Sequence, residues 1–237
     1  MKYNTRFNPT ISGQLHVGHL YMALVNEAEA HRSGGEFIVR VDDVQPNWCH
    51  WIKEEQRDQY YLEYQEQLSK FMHIDAWYRQ STMPKPREIV GDHPLLNKWR
   101  IGFDQDHNVE YPKKLGYGWN GYSPLYLVNK VILDYYTKTT LLIRGENLIG
   151  ESSLYEHFLS EIGLLRVYHI YLPHLETPDT NVTISKTRGG YTIQKQLDAF
   201  GVEETLERLR DSCLVNPNGE FFVSNIKSNP VATGLIE

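Results

Sequence analysis

Cysteine is nearly missing from this chain: Cys49 and Cys213 are the only two in 237 residues. Two thiols cannot build a disulfide framework, so a reducing, cytoplasmic setting is the expectation. They cannot build a Cys-rich zinc site either, and Cys49-His50 lacks ligand spacing, so no metal-binding residues and no zinc are expected. No apolar run approaches the ~20 residues that span a bilayer, and the start of the chain has no signal-peptide core, so no membrane partner is expected. Positive charge is also short, with 24 Lys and Arg against 30 Asp and Glu and a net charge of −6. Nucleic-acid binders are usually basic, because phosphate neutralisation supplies much of their affinity, and this balance argues against extensive RNA contact. The first βα turn carries neither GxGxxG nor GxxxxGK[ST], which removes the usual dinucleotide and P-loop readings. Internal repeats and low-complexity tracts are missing too.

What is present suits one large α/β domain, or one domain with a small insertion: 41% apolar and 23% charged residues are ordinary for a globular protein. The opening stretch organises the rest. A short strand-like run, Tyr3 to Asn8, is closed by Pro9 and loosened by Ser12-Gly13. Leu20, Ala23, Leu24 and Ala28 then recur at helical spacing, Gly34-Gly35 stops the helix, and Phe37 to Val41 reads as a second strand. Such a βαβ unit puts ligands at strand C-termini, beside a helix N-terminus whose N–H groups attract anions. His16-Val17-Gly18-His19 sits at that helix start. Gly18 allows close approach, and histidines three apart share a face of the first turn. Alone, the motif fits a packing glycine flanked by surface histidines equally well.

Further along, spacing predicts a solvated helix from about Trp51 to Phe71 and a short strand at Ile74 to Arg79. A helix through Tyr126, Val131 and Tyr135, a buried strand from Thr139 to Arg144, a helix from Glu151 to Ile162 stopped by Gly163 and a strand at Val167 to Leu172 follow. Thr192 to Phe200 and Val202 to Arg210 read as helices, and Phe221-Phe222-Val223 as a strand. Between them, residues 81–121 are rich in Pro and Gly and carry the aromatics Tyr111, Tyr117 and Trp119, with Tyr122 just beyond. Such density prevents long elements.

Four ordered blocks carry a family resemblance. Thr5-Arg6-Phe7-Asn8-Pro9-Thr10-Ile11-Ser12-Gly13-Gln14-Leu15-His16-Val17-Gly18-His19 resembles the glutamyl-tRNA synthetase opening TRFAPSPTGxLHxGxA, which contains the HIGH signature of class I aminoacyl-tRNA synthetases. Arg40 to Asp43 is similar to that family's R-I-E-D block, and Ile143 to Asn147 to its I-R-G-E-D block. Thr183-Ile184-Ser185-Lys186-Thr187 resembles the KMSKS loop. The resemblance implies a Rossmann-type doubly wound parallel sheet of the class I synthetase, HUP-like kind. The first half would be residues 1–80, a reduced acceptor-end insertion 81–121, the second half with the Ser-Lys loop 122–190, and a small helical or irregular C-terminal segment 191–237. No anticodon-binding domain is expected, an architecture similar to truncated glutamyl-queuosine tRNA(Asp) synthetases, although their usual zinc-site cysteines are missing.

By the same resemblance, His16, Gly18, His19, Ser185 and Lys186 bind ATP, with His16, His19 and Lys186 the catalytic group and magnesium arriving with the nucleotide. Arg6, Thr10, Asp42, Asn129 and Arg144 line an amino-acid pocket. Two arginines suit a side-chain carboxylate, and Asp42 suits an ammonium, which implies glutamate or a close analogue; a tyrosine of the family's pocket is replaced by Leu125. A bland reading of Arg6 and Arg144 is ion pairing with Asp42 or Asp43. The implied function is activation of glutamate as an aminoacyl-adenylate by a monomer, with transfer to tRNA or another acceptor. The alternatives are an adenylate-forming ligase or nucleotidyl transferase with a non-tRNA acceptor, and a catalytically silent nucleotide-binding module.

Overall fold

The computed structural model describes residues 1–44, 52–94, 96, 124–178, 182–184 and 190–237. The Ser185-Lys186 loop, the aromatics Tyr111 to Tyr122 and Cys49-His50 lie outside the described residues.

Five strands form one wholly parallel sheet in the order β3-β2-β1-β4-β5. They are β1 (Thr5–Phe7), β2 (Phe37–Val41), β3 (Ala76–Arg79), β4 (Leu141–Gly145) and β5 (Tyr168–Leu172). The described helices are α1 (Val17–Arg32), α2 (Glu54–Ser69), α3 (Pro86–Val90), α4 (Pro124–Tyr136), α5 (Ser152–Ile162) and α6 (Ile193–Cys213). β1, β2 and β4 are buried throughout, as strands covered on both faces must be. The chain builds outward from β1 to β3, then returns to the other side of β1 with β4. The crevice between the C-terminal ends of β1 and β4 is therefore the topological switch point.

Side chains alternate across each strand, and that alternation assigns the two faces. Leu141 and Ile143 pack into one apolar cluster with Phe7, Val39 and Val41, together with side chains of α1, α2 and α6. Leu142 points the other way, into a second cluster with α4 and α5. The fold is doubly wound, as expected. Alternation also sends Arg6, Arg40 and Arg144 to the α4–α5 face, one from each of three neighbouring strands.

Local chemistry explains the element boundaries. Gly163 closes α5 in a left-handed conformation (φ 75°), the usual glycine stop. Thr192 caps α6 by accepting from the Lys195 amide at 3.3 Å, and Gly201 (φ 72°) interrupts that helix where two separate helices were expected. The strand expected at Phe221-Phe222-Val223 is corrected: residues Val223–Asn225 form a short 3-10 turn. Its first amide donates to Glu29 on α1 (2.9 Å) rather than to a ladder partner, while Phe221 is buried in the core and Phe222 lies under the Arg32 guanidinium.

Glu29 is itself buried and also accepts from Arg32. Glu29→Ala should leave the Val223 amide without its acceptor, costing about 1–3 kcal/mol. Urea denaturation would read that loss, and limited proteolysis would cut near residues 221–226 faster than in the wild type.

Candidate active site

Asp134 organises the buried side of the switch point. It is fully buried on α4, accepts from Arg6 Nε and Nη2 at 2.6 and 2.9 Å and from the Tyr155 hydroxyl at 2.6 Å, and is in ion-pair contact with Arg40 Nη1 at 2.7 Å. Burial raises the carboxyl, but the Arg40 and Arg6 guanidiniums and the donated hydrogen bonds outweigh it and hold Asp134 well below the usual carboxylate range. Burial, then the Asp134 charge, pushes Tyr155 well above its ordinary value, so it stays a donor. Arg40 is pulled down by its burial, opposed chiefly by Asp134. It also spans back to Asn8, donating to Oδ1 at 3.1 Å while the Asn8 amide donates to the Arg40 carbonyl at 2.6 Å.

Both Arg6 and Arg144 take part in ion pairs, as the bland reading had it, with Asp134 and Glu151 as partners. Asp43 accepts from Arg79 and from the Ser81 amide (2.8 Å) and hydroxyl (2.5 Å). Asp42 continues the β1–β2 pairing through a bridge to Thr10: its amide donates to the Pro9 carbonyl and its carbonyl accepts from Ile11, both at 2.9 Å.

Arg144 stands apart from that cluster. Its Nη2 donates to His169 Nδ1 at 3.1 Å and to the Tyr171 hydroxyl at 3.2 Å, and its Nη1 lies 3.7 Å from Glu151. The guanidinium also stacks 5.6 Å from the rings of Tyr155 and Tyr171. Its Nε is buried with no hydrogen-bond partner among the described residues. Because His169 Nδ1 accepts, its proton belongs on Nε2, which meets Glu156 at 2.8 Å. Burial pushes His169 down, and the Arg144 charge works in the same direction against the pull of Glu156.

Arg6 and Arg144 line one cavity of about 140 Å³ with Asn8, Leu127, Lys130, Gly145, Glu151 and Tyr155 among its walls. That is small beside the ~300–1,000 Å³ of clefts that take drug-sized ligands; it suits a short acid. Asn129, expected here, is half-buried and is not among the lining residues; its neighbour Lys130 is. Burial, opposed chiefly by Asp42, pushes the Lys130 ammonium down to about 8. A methyl at Gly145 would come 2.6 Å from His174 Cε1 and 2.8 Å from Asn147 Oδ1, so the bend after β4 requires glycine.

The histidine pair sits at the start of α1. His16 is the N-cap and is buried; its amide donates to His19 Nδ1 at 3.2 Å, and the rings lie 3.7 Å apart. His19 Nδ1 being the acceptor puts its proton on Nε2. A methyl on Gly18 would stand 3.0 Å from His16 Nδ1, so this glycine lets the imidazole fold over the first turn. That turn carries no acidic residue, which suits anion binding at a helix start. Among the described residues, no group of three or more His, Cys, Asp or Glu is placed to hold a metal, and no helix is long and apolar enough to cross a membrane. Ser185 and Lys186 lie outside the described residues.

Sequence reasoning missed Asp134, Arg40, Lys130 and Tyr155. The signal was Lys130 and Asp134, four apart in the mostly apolar stretch Leu127 to Asp134, opposite an arginine embedded in each central strand.

The five-stranded parallel sheet, with a histidine pair at the start of α1 and buried arginines beside its switch point, is a Rossmann-like fold of the kind that class I synthetases have. Residues 2–82 match the model for tRNA synthetases class I (E and Q), catalytic domain. The chain's curated relatives are glutamyl-type aminoacyl-tRNA synthetases, to which it is similar. It is 26% identical to a glutamyl-Q tRNA(Asp) synthetase of Methylococcus capsulatus, over 85% of this chain and 78% of that protein. A glutamate–tRNA ligase of Ruegeria pomeroyi is 31% identical over 48% of the chain, which spans only 31% of that ligase. Glutamate-tRNA synthetase of Elizabethkingia anophelis superposes with a TM-score of 0.54 at 18% identity, covering 85% of this chain and 54% of that one. Tyrosyl-tRNA synthetase of Archaeoglobus fulgidus superposes with 0.56 at 15% identity, covering 92% and 69%. At those identities the superpositions speak for the fold alone.

Asp134→Asn should cost about 3–5 kcal/mol at neutral pH by leaving two buried guanidiniums undercompensated. The sign with pH follows from the depressed carboxyl. Its stabilisation is present above the unfolded value of ~3.9 and is lost as pH falls below that towards the folded value. Urea midpoints measured from pH 7 to pH 2 should fall on the acid side in the wild type and change less in the variant.

Proposed function

We propose that this chain activates a short dicarboxylic acid, glutamate or a close analogue, as an acyl-adenylate at the expense of ATP. The observation that carries the reading is the pairing, at one switch point, of a small arginine-lined cavity with a histidine-flanked helix start. One carboxylate of the acid would take Arg144, whose buried Nε still needs an acceptor. The other carboxylate attacks the ATP α-phosphorus; the bond from that phosphorus to the bridging oxygen breaks and pyrophosphate leaves.

Such a step asks the protein for position and charge stabilisation more than for covalent chemistry. His19 Nε2–H and the first-turn amides of α1 are suited to donate to the phosphates, and Gly18 keeps space beside them. The resemblance adds Ser185 and Lys186 for the leaving pyrophosphate. Magnesium bound through phosphate oxygens would supply further charge neutralisation. Arg6 takes a second role in this reading: locked by Asp134, it contributes positive potential to the cavity wall instead of a free fork. Thr10 and Asp42, bridged to each other beyond the ends of β1 and β2, are not among the walls of that cavity and would act from behind it.

The similarity to a glutamyl-Q tRNA(Asp) synthetase over 85% of this chain supports a tRNA-borne acceptor, with residues 81–121 as the reduced acceptor-end insertion.

ATP–pyrophosphate exchange over a panel of acids, with and without total tRNA, tests the activity. Exchange dependent on a dicarboxylic acid is expected; ATP binding without exchange under any condition would instead identify a silent module. Arg144→Ala should raise KM for the acid about a hundredfold, as loss of one partner from a buried charged contact does. Nucleotide affinity, read by a fluorescent ATP analogue, should be unchanged.

A further inference from the structure

Both ring nitrogens of His169 meet charged side chains, Arg144 on one side and Glu156 on the other. His169 lies on β5 opposite Leu142 of β4, and Tyr171, two residues on, lies opposite Arg144. Side chains two apart share a face of the sheet, so both rings stand beside the guanidinium. Arg144 Nη2 donates to His169 Nδ1 at 3.1 Å and to the Tyr171 hydroxyl at 3.2 Å, which commits both of its N–H bonds. The Nε of the same rigid fork is buried with no hydrogen-bond partner among the described residues. Where that Nε points depends on what holds Nη2.

The hold needs a neutral imidazole. Nδ1 accepts only while its lone pair is free; a proton there would turn donor against donor across 3.1 Å and set two cations side by side. Glu156 on α5 meets Nε2 at 2.8 Å and keeps the proton on that edge of the ring. Tyr155, also on α5, meets the ring edge-on at 5.3 Å, and Tyr171 stacks on it at 6.3 Å. The remaining charges nearby are Glu151, paired loosely with Arg144, and Arg6 on β1. Burial leads in holding His169 below the ordinary imidazole value, the Arg144 and Arg6 charges add to it, and Glu156 opposes. The neutral ring is therefore the form present at neutral pH, and the charged form arises only on the acid side.

We propose that His169 is a positioning residue for Arg144: its neutral ring aims the guanidinium at the carboxylate of the bound acid, and protonation of the ring withdraws that aim and weakens acid binding. This rests on the reading that Arg144 takes one carboxylate of the acid, and adds a pH control to that site.

Calorimetric titration of the whole chain with glutamate from pH 7 to pH 5, without nucleotide, decides the matter, run beside pyrophosphate exchange. The wild-type dissociation constant should rise at least about threefold by pH 5, with the rise confined to pH below the ordinary imidazole value of ~6.5. His169→Asn, whose amide oxygen can take the place of Nδ1, should bind within about threefold of wild type at pH 7 and lose the rise. His169→Leu, with no acceptor, should bind about tenfold more weakly at pH 7, as loss of a hydrogen bond to a charged group does. In Glu156→Gln the pull on the ring proton is gone, so the rise should shrink at pH 5; that variant decides if His169→Asn fails to fold. Wild-type affinity that stays level to pH 5 overturns the proposal, as does a rise that persists in His169→Asn, and glutamate-dependent exchange in either case leaves acid activation intact. A rise that depends on His169, with no exchange for any acid, upholds the positioning role and removes acid activation. No binding of glutamate at any pH overturns the proposal.

Discussion

The rest of this structure depends on one buried carboxylate. Three neighbouring strands each turn an arginine to the same face of the sheet, an arrangement that without compensation would place repelling charges in a low-dielectric interior. Asp134 resolves it for two of them, accepting from Arg6 and Tyr155 and pairing ionically with Arg40. Arg144 is held instead by His169 and Tyr171, with Glu151 as a looser ion partner at 3.7 Å. Chemically identical side chains thus take different surroundings according to which of them a single helix residue can reach. Helix α4 reaches the cavity as well, since the turn that delivers Asp134 to the arginines also delivers Lys130 to the cavity.

Much of the architecture was legible in the sequence because it follows from periodicity. The alternation of β1 and β2, the helical repeat of α1, the glycine stop at 163 and the break near Gly201 are local signals, and each of these elements stands where expected. The run at Phe221 misled because three apolar residues in a row carry no period: one is core, one is stacked under Arg32, and one gives its amide to a side chain far away in sequence. The site was less legible for a related reason. Which arginine is paired depends on Asp134, 128 residues from Arg6, and no local pattern states that distance. Likewise, Asn129 and Lys130 are adjacent in sequence, and only the rotation of α4 determines which of them faces the cavity.

The fold itself is indifferent to the acid. Superposition is as good on a tyrosyl as on a glutamyl enzyme, so selectivity has to reside in a few side chains carried on a shared frame. In this chain the cavity at the switch point is walled by side chains of β1, β4 and α4, and the histidines of α1 stand at the start of a helix whose first turn carries no acidic residue.

The segment that carries the family likeness is not a separable module. Residues 2–82 include β1, yet β1 is sandwiched between β2 and β4, and the Asn4 carbonyl accepts from Thr140 and Leu141. The opening of α1 is fastened by residues near 192: Val17 donates to the Tyr191 carbonyl, Ile193 donates to that of Leu15, and His16 bridges to Thr192. Its far end is tied through Glu29 to Val223. Cut at residue 82, the fragment would retain its signature and lose the neighbours on which both ends of α1 lean. The family model covers a third of the chain, whereas foldability is a property of the whole, and a fragment library built on motif boundaries would sever this protein along lines that its hydrogen bonds do not follow.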